Sequence, residues 1–466
     1  MKPTNTRRPD RRQFLKTSAL AAAVAPFGAT VVANPARAAR TRRDGKLRIA
    51  GIGAGGKGTS DIWAMRSEEI VALCDVDTSR AAKSIERFPN ARFYADYRDL
   101  FDRETDLDAV VVSTPDHSHA TPAMMAIERG MHVYCQKPLT HSVEEARLLA
   151  VAAREKGVVT QMGNQGTATD GLREATEVLR SGAIGKVRTV HVWTNRPIWA
   201  QGVDRPEGVD PIPEHLRWDL FLGPAPYRPY KGGYHPFSWR GWWDYGTGAL
   251  GDMACHIMNL AYKALNLGAP TKVEPVAVDG LRDESAPNRA IVRYEFPARG
   301  DDPAVELFWY DGNLKPPAEL LPEGREWAGG GSILVGDEGM MYSDDDYGAR
   351  YELWPEEKFK GYQPPKPWIP RAPRVGEVSQ HELIHQEFLA ACKGEGETSS
   401  SFDGYAGPFT EAVLLGNVAQ RLGRTLEWDA VTMTAKGVPT ADALIRKEYA
   451  RGFEPPMRDL LKSRWH

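Results

Sequence analysis

The chain has 466 residues and a formal net charge of -3 at pH 7. This length predicts two domains, or one large unit, with room for a sizeable core. No basic stripe follows the N-terminal segment, so the sequence argues against a nucleic-acid partner and favours a small, weakly charged ligand.

The N-terminal segment, residues 1–38, has the features of a twin-arginine export signal. The stretch RRQFLK (Arg11–Lys16) precedes an alanine-rich apolar run, and Ala36–Ala38 matches a cleavage site. The run is too short and too rich in alanine for a stable spanning helix, so we exclude this segment from the fold. A basic, disordered arm is the alternative interpretation. We expect the twin-arginine machinery to export the folded chain to the periplasm or beyond, with the signal cleaved or kept as an anchor.

Short apolar strands alternate with helices between residues 44 and 163. We predict strands at KLRIAGIG, EIVALCD, DAVVVSTPD, MHVYCQKP and VVTQM, with a helix after each of the first four. This alternation is typical of a parallel, doubly wound sheet in an α/β protein.

A glycine-rich turn follows the first of these strands. Its GxGxxG motif consists of Gly51, Gly53 and Gly56, and Asp75 ends the next strand. Such glycines let a pyrophosphate approach a helix N-terminus, while the acid accepts hydrogen bonds from ribose hydroxyls. We therefore predict a Rossmann domain for NAD(P) over residues 44–163; a simple turn is the alternative. Asp75 and Asp77 disfavour a 2'-phosphate and so favour NAD, although Arg80 leaves NADP open.

The pattern changes from residue 164 onward. Apolar segments at VRTVHVW, VEPVAV, AIVRYEF, AVELFWY and SILVGDEGMMYS are separated by loops and few helices. They predict an open, mostly antiparallel sheet. Two late helices, at residues 381–392 and 409–422, are expected to pack back on the body. We assign residues 164–466 to a C-terminal α/β domain for substrate binding and oligomerisation.

Two predicted strands of the first domain end in polar residues. One ends in STPDHSHA, with His117 and His119, and another in CQKPL, with Gln136 and Lys137. Open α/β sheets bind their ligands at the carboxyl ends of such strands. A solvated surface lysine is the alternative for Lys137.

Taken together, these motifs resemble the glucose-fructose oxidoreductase and inositol dehydrogenase (Gfo/Idh/MocA) family over nearly all of the chain after residue 38. The stretches that carry the resemblance are GIGAGGKG, TPDHSHA, VYCQKPLTHSVEEA, GNQG, WRGWWDYGTGALGDMACHIMN and HQEFLAAC. One departure concerns Gln136, because most members have Glu there. It bears on contacts near the nicotinamide ribose and leaves Lys137 in place.

The resemblance implies that Lys137, Asp252 and His256 handle the proton beside the nicotinamide. Asp252 and His256 are four residues apart in GDMACH and so share a face if this stretch is helical. Hydride transfer from a carbinol requires a group that accepts the hydroxyl proton. We expect Asp252 to orient His256 or stabilise its charge. An ordinary helix with a satisfied Asp and His is the alternative.

Further contacts are expected on both sides of this group. Besides the glycines and Asp75, the predicted cofactor contacts are Thr114, His119, Gln136 and Asn164. Aromatic residues are dense between residues 193 and 245, and aromatic faces stack on sugar rings. The predicted substrate contacts are Trp239, Arg240 and Trp243. Core packing or oligomer contacts are the alternative for the remaining rings.

A zinc-binding pattern occurs late in the chain. HELIH, His381–His385, matches HExxH, in which two histidines on a helix bind zinc. Because a five-residue match is weak evidence and coincides with a helix that the resemblance covers, we predict no metal site. We expect His385 to border the active cleft.

These features predict an exported NAD(P)-dependent oxidoreductase of sugars, glycosides or cyclitols, and the resemblance suggests a homo-oligomer. Outside the cytoplasm no NAD pool recharges the site, so we expect a tightly bound cofactor that is regenerated in place. Regeneration by two sugars in turn is one route. The alternative is an internal cycle of oxidation, elimination and reduction, as in an NAD-dependent glycoside hydrolase or lyase. A non-catalytic sugar-binding protein is a third possibility, since fold does not imply function.

Overall fold

The computed structural model describes residues 45–461. Residues 45–163, here called the first half of the protein, are built on a six-stranded parallel sheet. The predicted export signal lies outside the described residues. The strands are β1 (Arg48–Ile52), β2 (Glu69–Cys74), β3 (Arg92–Tyr94), β4 (Ala109–Val112), β5 (His132–Cys135) and β6 (Thr160–Met162). Their order is β3-β2-β1-β4-β5-β6 and every pair is parallel. The strand order reverses between β1 and β4, where doubly wound sheets bind their ligands.

Five helices flank this sheet: α1 (Lys57–Ala64), α2 (Thr78–Arg87), α3 (Tyr97–Arg103), α4 (Ala120–Glu128) and α5 (Val143–Lys156). Local sequence explains the bounds of α5. Ser142 and Glu145 form a capping box at its start, and Gly157 ends it in the left-handed conformation at φ 63°.

Residues 164–461, here called the second half, are built on a nine-stranded sheet. Its strands are β7 (Val187–Trp193), β8 (Lys272–Asp279), β9 (Arg289–Phe296), β10 (Val305–Tyr310), β11 (Gly331–Gly336), β12 (Met340–Ser343), β13 (Glu352–Trp354), β14 (Leu426–Asp429) and β15 (Thr434–Lys436). The order is β13-β12-β11-β7-β10-β9-β8-β14-β15. Only β7 and β10 pair in parallel, so this sheet is mostly antiparallel, as predicted.

Eight further helices belong to this half: α6 (Asp170–Arg180), α7 (Trp218–Leu222), α8 (Gly248–Ile257), α9 (Asn259–Ala264), α10 (Glu356–Phe359), α11 (Leu383–Cys392), α12 (Gly407–Leu422) and α13 (Asp442–Ile445). Residues of β9 alternate between buried and partly exposed, so only one face of the sheet is fully covered. A Cβ on Gly416 of α12 would lie 2.0 Å from the Tyr294 hydroxyl, so this glycine allows the helix to approach β9 closely.

The two late helices pack back on the body, as predicted. In α11, Ile384 and Phe388 belong to the apolar cluster that contains Ile49 and Leu73 of the parallel sheet. In α12, Glu411 accepts hydrogen bonds from Arg147 of α5. The core is therefore continuous between the halves, and the Rossmann fold with an open α/β partner is confirmed. Within residues 45–461 none of the helices has the length and apolar character needed to cross a bilayer.

Candidate active site

A cleft of about 560 Å³ runs along the carboxyl ends of the parallel strands. The loops after β1, β2, β3, β4 and β5 form one wall, and residues 196–240 and α8 form most of the other. This volume lies within the range of small-molecule and cofactor sites. The cleft therefore occupies the topological switch point, where the fold predicts a ligand.

The glycine turn lies at one end of this cleft. Gly53 has φ 81°, and a Cβ there would be 2.6 Å from the backbone of Ser113. A Cβ on Gly58 would lie 1.7 Å from the Gly53 oxygen, so the first turn of α1 packs directly on the loop. Gly55 lines the cleft between them. The stretch GIGAGGKG contains two overlapping GxGxxG patterns, and the geometry matches Gly53, Gly55 and Gly58.

The predicted phase began two residues earlier. Gly51 lies inside β1 and does not reach the cleft; a Cβ there would be 2.3 Å from Ile62, so this glycine makes room for α1. Gly56 does line the cleft, at φ 54° just before α1. Position in the fold distinguishes the two phases, because Gly51 lies within β1 whereas Gly55 lines the cleft and Gly58 packs on Gly53.

Asp75 follows β2 and faces the glycine turn. Its carboxylate accepts hydrogen bonds from the backbone of Gly55 (2.7 Å) and Asp77 (2.9 Å). Burial raises the pKa of Asp75 to about 6, against the opposing effect of these hydrogen bonds. The carboxylate lines the cleft where a ribose would meet the end of β2.

Lys137 and Asp252 meet across the cleft. The Lys137 ammonium, after β5, donates to Oδ1 of Asp252 (2.7 Å) and to its backbone oxygen (2.8 Å) on α8. Arg240 also donates to Oδ1 at 3.3 Å. Burial alone would raise the pKa of Asp252, but the charges of Lys137 and Arg240 outweigh it and lower the pKa to about 2. Asp252 is therefore ionised across the physiological range.

His256 lies one turn further along α8 and lines the same cleft. Its Nδ1 is buried and has no hydrogen-bond partner among the described residues. Burial, reinforced by the positive charge of Lys137, lowers the pKa of His256 well below its ordinary value, so the ring is neutral at pH 7. Asp252 bonds to Lys137 and Arg240, whereas we had expected it to orient His256.

Asp61 on α1 is fully buried, and sequence reasoning missed it. Its carboxylate accepts hydrogen bonds from Ser113 (2.9 Å), Gln136 (2.8 Å) and His385 (3.0 Å), and it pairs with Lys57. Burial opposes these contacts, but together they lower the pKa of Asp61 to about 2. Three segments that line the cleft, and His385 from behind them, thus converge on one carboxylate.

His385 belongs to this cluster rather than to the cleft surface, where we had expected it. Its ring stacks on Tyr134 at 4.6 Å and its Nε2 faces Asp61. Over residues 45–461 no group of His, Cys, Asp and Glu side chains is placed to hold a metal ion. The HELIH stretch therefore contributes a structural histidine.

Three other predicted site residues do not line the cleft. The ring nitrogens of His119 lie 2.8 Å from the carbonyl oxygens of Thr114 and Pro138, behind the wall. Asn164 is fully buried, with its Nδ2 3.4 Å from Asn259. Trp243 is buried beneath the cleft, where Arg421 covers its ring. Each supports the site without reaching its surface, because its polar or aromatic group is already packed.

The remaining predicted contacts do line the cleft: Thr114, Gln136, Trp239 and Arg240. The Arg240 guanidinium lies 4.3 Å from the Trp239 ring and 4.8 Å from the Phe237 ring. Residues that line this end without having been predicted are Arg196, Trp199, Phe237 and Tyr347. Aromatic density pointed to the region, but the long loop hid which rings face inward.

The residues present fit a dinucleotide. The turn at Gly53 and Gly55 leaves a cradle without side chains, and Asp75 offers an acceptor for ribose hydroxyls. At the other end, the buried Nδ1 of His256 lacks a partner. A nicotinamide at that end would lie beside Lys137, on the far side of the cleft from Asp75.

Comparison with known proteins gives two profile matches. The profile described as the oxidoreductase family, NAD-binding Rossmann fold, matches residues 47–164. The profile described as the oxidoreductase family, C-terminal alpha/beta domain, matches residues 178–294. Both belong to the set named for Gfo, Idh and MocA, and they follow each other in the order of the two sheets.

Individual relatives match over part of their length. The chain is 27% identical over 189 residues to a levoglucosan dehydrogenase of Pseudarthrobacter phenanthrenivorans, covering 41% of this chain and 40% of that relative. It is 35% identical over 92 residues to a 2,7-anhydro-N-acetylneuraminate hydratase of Mediterraneibacter gnavus, covering 20% of this chain and 24% of that relative. The chain thus aligns with less than half the length of either.

A solved structure shares the fold. The WlbA dehydrogenase from Bordetella pertussis, in complex with NADH and UDP-GlcNAcA, superposes with a TM-score of 0.57 at 18% identity. The match covers 82% of this chain and 99% of that one.

Proposed function

Because the chain belongs to the Gfo/Idh/MocA oxidoreductase family, we propose that it moves hydride between a carbohydrate or cyclitol carbon and a nicotinamide dinucleotide. The observation that carries this proposal is the Lys137–Asp252 pair beside the unpartnered His256, in the same cleft as the glycine turn. The first half supplies Lys137 and the second half supplies the other two.

Lys137 is placed to hold the reacting oxygen. An ammonium has three N–H donors, and Asp252 accepts two of them, which leaves the third for the substrate hydroxyl. Asp252 fixes the direction of this donor, and Arg240 donates to the same carboxylate oxygen, Oδ1.

His256 is the group that accepts the proton. When the hydroxyl becomes a carbonyl, one hydride leaves the carbon and one proton leaves the oxygen. A bound nicotinamide supplies the hydride acceptor. The neutral ring of His256 takes the proton, directly or through Lys137, and returns it in the reverse reaction. His256 lies on α8 and Lys137 follows β5 by two residues, so the geometry is set before substrate enters.

The substrate end of the cleft suits a ring bearing hydroxyls. Trp199, Trp239 and Phe237 offer apolar faces, while Arg196 and Arg240 offer hydrogen-bond donors. One relative is named levoglucosan dehydrogenase, and levoglucosan is a sugar derivative. We therefore propose a carbohydrate, glycoside or cyclitol as substrate.

We also propose that the protein works outside the cytoplasm. The twin-arginine pattern in residues 1–38 supports this location, since that route carries proteins that have already folded. An exported chain would carry its dinucleotide with it. NAD is the proposed cofactor, because Asp75 leaves little room for a 2'-phosphate.

A second candidate is a reaction without net oxidation, in which the same hydride leaves and returns. One relative is named a hydratase, which is a net non-redox activity. In that cycle His256 and Lys137 would perform the same proton transfers. An additional group would leave the substrate after the oxidation and before the reduction.

A single-turnover experiment tests the proposal. Protein loaded with oxidised dinucleotide is mixed with levoglucosan, myo-inositol, UDP-linked sugars and glycosides, and the absorbance of reduced nicotinamide is followed. We expect the bound dinucleotide to be reduced in wild type and to stay oxidised in Lys137→Ala. Product formed by wild type and Lys137→Ala at equal rates would overturn the proposal.

A further inference from the structure

The segment of residues 213–237, which contains α7 and is here called the clasp, crosses from the second half to the end of β2. The backbone of Thr78 donates to His215 (3.1 Å), and that of Arg217 donates to Val76 (2.8 Å). Leu216 and Asp77 complete an antiparallel bridge between the halves. The clasp is thus held by the backbone that directly follows Asp75.

The clasp has its own apolar core. Trp218, Phe221 and Tyr234 are buried together in it, and Val76 of the first half packs against them. Nε2 of His117, in the loop after β4, lies 2.9 Å from the Phe221 oxygen. The clasp therefore spans the gap between the strand ends of β2 and β4.

Residues 450–453, here called the tail, lie at the same end of the cleft. The Thr121 hydroxyl donates to the Phe453 oxygen (2.7 Å), and the Arg98 guanidinium lies 4.2 Å from the Phe453 ring. The tail also bonds to the clasp, because the backbone of Ala450 donates to Pro224 (3.1 Å). Phe453 and the clasp residues Leu220 and Phe221 all line the cleft.

His235 of the clasp points to a ligand here. Its Nε2 donates to Asp77 at 2.7 Å, so its Nδ1 must be an acceptor. That Nδ1 is buried without a hydrogen-bond partner in the described part of the chain, and the residue lines the cleft. A ribose hydroxyl is a donor of the kind that this atom lacks, and the adenosine ribose of a Rossmann-bound dinucleotide lies at the end of β2.

We propose that His235 and Phe453 are further cofactor-binding residues, and that the clasp and tail retain the adenosine half of the dinucleotide between turnovers. This inference rests on the proposed function. Release would require the backbone bridge and the tail contacts to open together. A cofactor that does not exchange must be reset by a second substrate or by the same one.

The test is a nucleotide-exchange measurement on the full chain. Protein is saturated with unlabelled NAD, mixed with excess isotopically labelled NAD, and the bound fraction is denatured at intervals for mass spectrometry. Wild type should exchange slowly. His235→Ala and Phe453→Ala should each exchange about tenfold faster, the effect of losing one hydrogen bond or comparable contact. Trp368→Ala is the control, because this half-exposed aromatic residue lies outside the clasp and the tail and does not line the cleft.

The outcomes separate the two proposals. If wild type exchanges completely within the mixing time, or if both variants exchange at the wild-type rate, the retention proposal is overturned while the proposed function stands. If wild type takes up neither NAD nor NADP, the proposed function fails and retention fails with it. If one variant does not fold, fast exchange by wild type still overturns the proposal, and the other variant still tests whether this end of the cleft holds the cofactor.

Discussion

The Lys137 ammonium lies 2.7 Å from the Asp252 carboxylate, and this contact joins the two halves of the protein at the centre of the cleft. Lys137 follows a strand of the parallel sheet, whereas Asp252 lies on a helix of the second half. The reacting group therefore exists only when the halves are packed together. One apolar cluster contains residues of both halves, among them Val110 and Val192, and so joins them.

Replacing Lys137 should abolish turnover without removing the cofactor. Lys137→Ala is expected to lower the single-turnover rate by about 10²- to 10⁴-fold, the usual contribution of a general acid or base. Nucleotide affinity, measured by titration, should change little because Lys137 lies at the substrate end. Lys137→Arg is the control that keeps the charge beside Asp252. A single-turnover rate in Lys137→Ala equal to that of wild type would show that Lys137 takes no part in the chemistry.

His256→Asn should also lower the rate by about 10²- to 10⁴-fold, because the amide cannot accept the proton. The pH profile adds a second readout. Since burial and Lys137 lower the pKa of His256, wild type should show no loss of activity at the ordinary histidine pKa of about 6.5 when saturated with cofactor. A titration at that pH which disappears in His256→Asn would contradict this assignment.

Cofactor affinity should depend on pH through Asp75. Ribose hydroxyls donate to the ionised carboxylate, and burial raises the pKa of Asp75 to about 6. Binding is therefore strong above that pH and weakens as pH falls through it. Titrations of NAD at a series of pH values should show this decline in wild type. Asp75→Asn should bind weakly at every pH; a variant with unchanged affinity and pH dependence would place the ribose elsewhere.

Gln136 and Asp61 should be coupled. Gln136→Glu places a second carboxylate 2.8 Å from the buried Asp61 carboxylate, so one of them must bind a proton or the loop must move. We expect weaker nucleotide binding and a lower rate, both recovering in part at low pH. Adding Asp61→Asn removes the repulsion and should restore activity beyond either single variant. Additive effects of the two substitutions would show that the contact does not matter.

The packing of α5 on α12 gives a stability prediction. The Glu411 side chain is 5% exposed and pairs with Arg147, so Glu411→Ala leaves a partly buried charge and should cost about 3 kcal/mol. The exposed pair Lys186–Asp302 is the control, and Asp302→Ala should cost much less, because solvent screens an exposed ion pair. Denaturant unfolding measures both. Equal losses would mean that the Arg147 contact is not a buried one in energetic terms.

Much of the fold could be predicted because its signals are local. Apolar strands, the capping box at Ser142 and the glycine at position 157 define elements within a few residues of themselves. Strand β3 was missed because it has only three residues, lies at the sheet edge and is half-exposed. Strands β13, β14 and β15 were missed for a similar reason, because each has only three or four residues.

The site could be predicted only where the chemistry is carried by a motif. Lys137, Asp252 and His256 meet in one cleft, but the hydrogen bond between Lys137 and Asp252 joins residues 115 positions apart, which no local pattern encodes. Asp61 looked like an ordinary helical acid, and its role appears only when Gln136 and His385 converge on it. His235 was hidden in the same way, since its partner Asp77 lies 158 residues away.

Whether this cleft holds a nicotinamide dinucleotide can be measured without any substrate. The protein is purified without added nucleotide and denatured, and any released dinucleotide and its redox state are identified by mass spectrometry and absorbance. We expect bound NAD in a near-stoichiometric amount. A protein that releases no dinucleotide and also fails to bind added NAD or NADP would show that the cleft is not a dinucleotide site.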